Sequence, residues 1–197
     1  MNKQWKYSSF GIPDSYFTRG NAPMTKEEVR AVVMGKLRLK EDSILIDVGA
    51  GTGSVSIEAA LKLTKGKVYA IEFKDDPIEL IKINRENFGL DNVEIVVGRA
   101  KDKIREIKGF DRIFIGGTCG ELSEILDYTM EEMKPGGRVV MTVVTIENLN
   151  RGLEGLKSRK LKDVEVVSVG ISKGRSTGNY TIMEAENTIY ILSATKE

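Results

Sequence analysis

The chain is predicted to fold as a doubly wound α/β sheet, mostly parallel, closed at its C-terminal edge by an antiparallel pair. Three observations predict it. Short apolar runs of the buried-strand kind alternate with segments of helical periodicity. The helical segments are long enough to act as right-handed crossovers between parallel strands. The last two apolar runs have no clear helix between them, so one of them is expected to run against the rest, at the edge.

The elements follow in order. Thr25-Lys26-Glu27-Glu28 has the form of a capping box, and Val29, Val32, Val33 and Leu37 then recur at helical spacing. Ser43 to Val48 (SILIDV) predicts the first strand, followed at once by a glycine-rich turn and a helix carrying Val55, Ile57, Ala59, Ala60 and Leu63. Lys67 to Glu72 (KVYAIE) is the second strand. Asp76-Pro77-Ile78-Glu79 reads as N-cap, first-turn proline and N3 glutamate of a helix ending near Phe88-Gly89. Val93 to Val97 and Asp111 to Ile115 supply strands three and four, and a helix from Glu121 to Met133 stops at Lys134-Pro135-Gly136-Gly137. Arg138 to Val144 makes strand five, and Glu147 to Arg159 a helix. The final strands, Val164–Ile171 and Thr188–Ala194, are expected to be joined by a loop holding Gly174, Gly178 and Asn179. One domain over residues 25–197 is expected, preceded by an arm or lid over residues 1–24.

Composition narrows the function classes. With 197 residues, 41% hydrophobic and 30% charged, the chain has the make-up of a globular domain. The balance of 30 basic against 29 acidic residues leaves +1, so no global field draws it to nucleic acid or an anionic membrane. Histidine is absent, which removes Ser-His-Asp and Cys-His nucleophiles and His-ligated metals. The single cysteine, Cys119, excludes an internal disulfide and a Cys-cluster zinc site, and suits a reducing compartment. The N-terminus, Met1 to Lys6, has no apolar signal region, and no apolar run approaches a membrane span. A cytoplasmic protein with no membrane or nucleic-acid partner is expected.

The chemistry sits at the end of the first strand. Asp47-Val48-Gly49-Ala50-Gly51-Thr52-Gly53 closes the strand and opens the next helix. Glycines there let the backbone turn sharply and approach a ligand. The dinucleotide fingerprint would need glycine where Ser54 stands, and the G-K-[ST] of a phosphate-binding loop is missing. Glu72 ends the second strand, 23 residues beyond Gly49, where an acidic side chain can accept from ribose hydroxyls. Taken singly, these residues also fit a tight turn and a solvated strand end.

The D-x-G-x-G-x-G spacing resembles the first motif of class I S-adenosylmethionine-dependent methyltransferases, whose sheet is Rossmann-like. Flanking segments narrow the likeness. Gly11-Ile12-Pro13-Asp14 with Phe17, Pro23-Met24-Thr25-Lys26-Glu27-Glu28-Val29-Arg30, Gly49 to Ser56, Val68 to Glu72, Phe114-Ile115-Gly116-Gly117 and Ile171-Ser172-Lys173-Gly174-Arg175 resemble the decarboxylating cobalt-precorrin C(15)-methyltransferases of cobalamin biosynthesis. The resemblance runs from about Gly11 to Leu192. It implies methylation of C(15) of a corrin precursor, with loss of carbon dioxide from an acetate side chain. S-adenosylmethionine would be the co-substrate, held by Thr25, Gly49, Ala50, Gly51, Thr52, Gly53, Glu72 and Ala100, with no protein-bound metal. An anionic tetrapyrrole would be met by Gly117, Thr118 and Arg175, and Arg19, Lys26, Arg30 and Lys173 could join that basic rim. No general base is identifiable. A homo-oligomer, such as a tetramer, fits the resemblance.

Two positions depart from the family pattern. Gly98-Arg99-Ala100 stands where the family has Gly-Asp-Ala, so Arg99 is expected to point away from the adenine amino group, leaving backbone near Ala100 to hold the base. Gly116-Gly117-Thr118-Cys119-Gly120 replaces Gly-Gly-Ser-Gly-Gly, and Cys119 puts a side chain where glycine is usual. Thr25 is expected both to cap its helix and to touch the cofactor, and Trp5, Tyr7 and Phe10 to tie down the N-terminus rather than form a lid. The runner-up is a tRNA (adenine) or protein isoaspartate methyltransferase, although the Asn/Asp-Pro-Pro-Tyr/Phe motif of amino-methylating enzymes is missing after strand four. A non-catalytic relative that binds cofactor as a sensor is the remaining class.

Overall fold

A computed structural model describes residues 5–197, so the first four residues of the expected arm lie outside the described residues. Seven strands form one sheet: β1 (Ile44–Val48), β2 (Lys67–Glu72), β3 (Val93–Val97), β4 (Arg112–Ile115), β5 (Arg138–Val143), β6 (Lys162–Val169) and β9 (Ile189–Thr195), in the order β3-β2-β1-β4-β5-β9-β6. Every pairing through β5 is parallel, and β9 alone runs against both its neighbours. The antiparallel pair does lie at the C-terminal edge, but its antiparallel member β9 is one place in and β6 is outermost. Burial explains the placement. β9 brings Ile191, Leu192, Ser193 and Ala194 inside, whereas β6 is mostly exposed and carries a bulge between Lys162 and Glu165 that disfavours further pairing.

The strict alternation of the strands builds two cores. Leu45, Val68, Ala70, Phe114, Val140 and Ile191 face α1 (Glu27–Leu37), α2 (Ser54–Ala60) and α3 (Asp75–Asn87). Ile46, Val48, Ile71, Ile113, Ile115, Val139, Met141 and Leu192 face α5 (Leu122–Glu132) and α6 (Ile146–Ser158). The strand reversal falls between β1 and β4, which opens a crevice at their carboxyl ends.

The described part of the arm is fastened rather than free. Ile12 and Phe17 are core residues, and the Glu58 carboxylate accepts from the Gly11 and Ile12 N–H groups at 2.6 and 3.3 Å. Trp5 packs edge-on against Tyr7 and Tyr16, and Trp5 and Phe10 lean on the core while Tyr7 stays exposed.

Several local expectations are corrected. The capping box does not form: α1 begins after Lys26 without a side-chain cap, Thr25 uses its carbonyl to accept from Arg30, and Glu28 pairs with Lys173 at 2.9 Å. Helix α3 starts one residue before Asp76, with Lys74 as its N-cap, so Pro77 sits in the third helical position. There the proline lacks only an N–H that has no intrahelical partner. A one-turn helix α4 (Ala100–Lys103), not expected, follows β3. The loop expected before the last strand is instead a hairpin, β7 (Ser172–Thr177) with β8 (Tyr180–Ala185), turning at Gly178 with φ 59°. Each of its strand residues is exposed, so no apolar alternation marked it.

Candidate active site

A cavity of about 1000 Å³ opens beyond the carboxyl ends of β1, β2, β4 and β5. It is larger than most single-ligand pockets, with room for a nucleoside-sized molecule and part of a second one. The glycine loop, Glu72, the start of α4, the loop after β4, the first turns of α6 and the strap Pro23–Lys26 form its walls.

Gly49, Gly51 and Gly53 all have positive φ, at 70°, 57° and 76°. Packing explains why side chains are barred. A Cβ on Gly49 would lie 2.7 Å from the Gly117 carbonyl oxygen, and one on Gly51 would lie 2.7 Å from that of Pro23. The absent side chains therefore let the β4 loop and the strap close onto the glycine loop. A Cβ on Gly53 would press on Ile81 of α3, so this glycine serves helix packing.

The Glu72 carboxylate is buried and held by backbone. Oε2 accepts from Gly51 N–H at 3.1 Å, while Oε1 accepts from Phe73 and Lys74 N–H groups at 2.8 and 3.1 Å. A carboxylate offers about four lone-pair positions, so Oε2 keeps one for a ligand hydroxyl. The side chain is thus oriented before anything binds. Beneath it, Asp47 is fully buried, accepts from Ser56 Oγ at 2.5 Å, and leaves Oδ1 without a partner. Burial, reinforced by the Glu72 charge, pushes its carboxyl up to about 7.

On the β3 side, Arg99 turns onto Phe73, 5.4 Å from its ring centroid, and pairs with Glu121 at 2.7 Å. Burial would raise the Glu121 carboxyl, but the bonds from Arg99 and the Lys101 N–H overcome it and hold it below the usual range. In the β4 loop Cys119 adopts φ 48°, a left-handed conformation of the kind glycine takes freely, and keeps its thiol exposed.

The structure brings together most of the residues singled out from sequence. Thr25, Gly49, Ala50, Gly51, Glu72, Ala100, Gly117 and Thr118 all line the cavity. Thr52 and Gly53 do not. Thr52 is buried with its hydroxyl unpartnered behind the loop, and its carbonyl accepts from Asn84. Arg175 does not reach the cavity either. It lies on the exposed hairpin, tied to Glu184 of the facing strand at 2.5 Å. Arg30 cannot serve a rim, because it is wholly buried against Glu58, Asp14 and the Thr25 and Ile12 carbonyls. Lys173 is held by Glu28, Arg19 is exposed away from the cavity, and Lys26 alone of that set lines it.

Sequence reading missed Phe73, Glu121, Asn148 and Arg151 as lining residues. A signal existed for the last two. The helix after β5 begins at the carboxyl edge of the sheet, so its first turns face whatever binds there.

Among the described residues, no group of three or more metal-ligating side chains is poised for an ion, and no helix is long and apolar enough to cross a membrane.

Comparison with known proteins sets this site in context. Residues 15–196 match the family model described as a precorrin methyltransferase domain. A probable cobalt-precorrin-6B C(15)-methyltransferase (decarboxylating) from Pyrobaculum calidifontis is 43% identical over 193 residues, covering 96% of this chain and 98% of that one. A precorrin-6y C5,15-methyltransferase structure from Geobacter metallireducens superposes with a TM-score of 0.91 at 35% identity, covering 98% of this chain and all of its own. The structure of a precorrin 8w decarboxylase from Methanobacterium thermoautotrophicum follows with a TM-score of 0.87 at 32% identity, covering 93% of this chain and 98% of its own.

Proposed function

The chain belongs to the precorrin methyltransferase family, and from that premise we propose that it methylates C(15) of a cobalt-precorrin and removes carbon dioxide from an acetate side chain of the same substrate. It is an enzyme of the S-adenosylmethionine-dependent class. The observation that carries the reading is that one cavity joins a pre-oriented Glu72 and a tight glycine loop to a second half over β4 and β5, lined by both apolar and polar side chains.

The residues present fit the co-substrate. Oε2 of Glu72 offers its free lone pair to a ribose hydroxyl, Gly49 to Gly51 give a backbone floor, and Thr25 and Ala100 close the sides. S-adenosylmethionine supplies a methyl group on a sulfonium, already activated for in-line displacement. The protein's work is then positioning, which supplies much of the rate in such transfers. Gly117 and Thr118 border the point where the two halves meet. The apolar lining, including Met141, Val143, Ile171 and Ile189, serves decarboxylation. It disfavours a localised carboxylate charge more than the dispersed charge formed as the C–C bond pair moves into the conjugated ring and carbon dioxide leaves. No histidine is needed for either step.

The tRNA (adenine) and protein isoaspartate alternatives are not favoured: the relatives at 43% and 35% identity carry precorrin names, whereas a tRNA (m1A58) methyltransferase structure that covers 92% of the chain is only 17% identical and shares the fold alone. A homo-oligomer is supported by the hairpin β7–β8. A two-stranded hairpin is marginal in water by itself, and this one exposes Tyr180, Ile182 and Met183. A second copy covering it accounts for both facts.

The test follows methyl transfer and carbon dioxide release together on a cobalt-precorrin substrate. Both should occur with the purified chain. Methylation of transfer RNA without turnover of the tetrapyrrole would overturn the reading.

A further inference from the structure

One guanidinium at the cavity wall has no partner. Arg151 lines the cavity from α6, and among the described residues it makes no ion pair or hydrogen bond. Its natural helix neighbours are Glu147 and Glu154, at spacings where such pairs form readily. Neither takes it, and Glu154 accepts from Asn150 instead. The other cations at the wall are engaged: Arg99 with Glu121, Lys26 with Asp14 at 3.7 Å, and Lys74 over the Phe73 ring beside Glu72.

We infer that Arg151, with Asn148 one turn before it, anchors a peripheral carboxylate of the tetrapyrrole substrate. This rests on the precorrin reading above. Three features of the fold place the pair there. Thr145 accepts from the Asn148 N–H at 3.2 Å, which caps α6 and sets the direction of its first turn. Gly152 then lets the helix close on the sheet, since a Cβ there would lie 2.9 Å from Met141 Sδ and 3.1 Å from Leu192. Met141 is itself part of the cavity wall, so Arg151 is drawn to the rim beside it. The strand order supplies the third feature. α6 follows β5, on the opposite side of β1 from Glu72 and β2, so Arg151 borders the half away from the ribose acceptor.

The chemistry fits a polycarboxylate. A planar guanidinium grips a carboxylate through two parallel N–H bonds, and an uncommitted one loses no existing pair when it does so. Asn148, at i−3 on the same face, adds an amide donor. Arg175, fixed to Glu184 outside the cavity, lacks both the position and the freedom.

The experiment compares Arg151→Ala and Arg151→Lys with the unaltered protein. Uroporphyrin, a polycarboxylate tetrapyrrole, serves as a fluorescent binding probe, and cobalt-precorrin turnover is measured alongside. Arg151→Ala should weaken probe binding and raise KM about tenfold, the scale of one charge-assisted hydrogen bond, with kcat within about twofold. Arg151→Lys should recover little, because a point charge does not reproduce the fork. Melting temperature and S-adenosylhomocysteine affinity should stay unchanged, which a merely structural arginine would not allow. Unaltered KM and probe affinity in Arg151→Ala, with the native protein still turning over precorrin, would overturn this assignment alone. No turnover by the native protein would overturn the precorrin reading, and the anchor with it.

Discussion

Arg30 and Glu58 meet 2.7 Å apart, Nε to Oε2, with both side chains essentially shut off from solvent. The pair ties α1 to α2, and its spare bonding capacity reaches the N-terminal segment. Arg30 donates to the Ile12 and Thr25 carbonyls, and Glu58 accepts from Gly11 and Ile12. Thr25 and the strap that closes the cavity are therefore hung on a buried ion pair. Glu58→Ala should destabilise the fold by about 3 kcal/mol, because it leaves the buried guanidinium with only the longer 3.3 Å pairing to Asp14 and strands the Gly11 and Ile12 N–H groups. Thermal or urea unfolding checks this, and a loss under 1 kcal/mol would contradict it.

Glu72→Ala should weaken S-adenosylhomocysteine binding by about 1.5–3 kcal/mol, the scale of a bond to a charged acceptor. It should also lower stability, since the Gly51, Phe73 and Lys74 N–H groups lose their acceptor. Calorimetry and a melting curve separate the two effects. Lowered stability with unchanged affinity would make Glu72 a support for the glycine loop only.

Asp47 should make stability depend on pH. Its carboxyl is raised in the fold to about 7 from an ordinary 3.8, so the folded state binds the proton more tightly than the unfolded chain. Stability from this group is complete at low pH, falls as pH rises between about 4 and 7, and is flat above. The fall amounts to at most about 4 kcal/mol. Asp47→Asn, which keeps an acceptor for Ser56, should flatten that slope. Equal slopes in the two proteins, from unfolding at pH 5 and pH 8, would show that Asp47 does not titrate in this window.

The hairpin gives a test of assembly. Tyr180 and Ile182 share one face of β8 and are 77% and 47% exposed, with no element among the described residues covering them. Replacing both with serine should shift the protein from oligomer to monomer in sedimentation while leaving S-adenosylhomocysteine affinity unaltered. A native protein that sediments as a monomer would remove the assembly reading.

Much of this molecule was legible from local pattern. β2 and β3 have the bounds that their apolar runs predicted, and the glycine loop and Glu72 fall where the strand-turn-helix spacing put them. The end signals of helices were less faithful. Thr25 and Asp76 have the chemistry of caps, yet Lys26 and Lys74 take the N-cap positions of α1 and α3 and neither makes a side-chain cap. Other bonds stand in those places: the Thr25 carbonyl accepts from the Arg30 guanidinium, and Glu72 accepts from the Phe73 and Lys74 N–H groups leading into α3. The β7–β8 hairpin escaped notice because neither strand buries a face, and alternation is a signal of burial.

Periodicity and glycine spacing were sufficient for the doubly wound sheet, its crevice and the loop beneath the cavity, because these are set by residues a few positions apart. Which side chains enter that cavity was a matter of distant packing. Gly152 against Met141 brings Arg151 to the rim, the β7–β8 hairpin carries Arg175 away from it, and Asn84 of α3 holds the Thr52 carbonyl in the buried side of the loop. Each of these outcomes depends on a contact between separate elements, so the residue type and its immediate neighbours carry no trace of it.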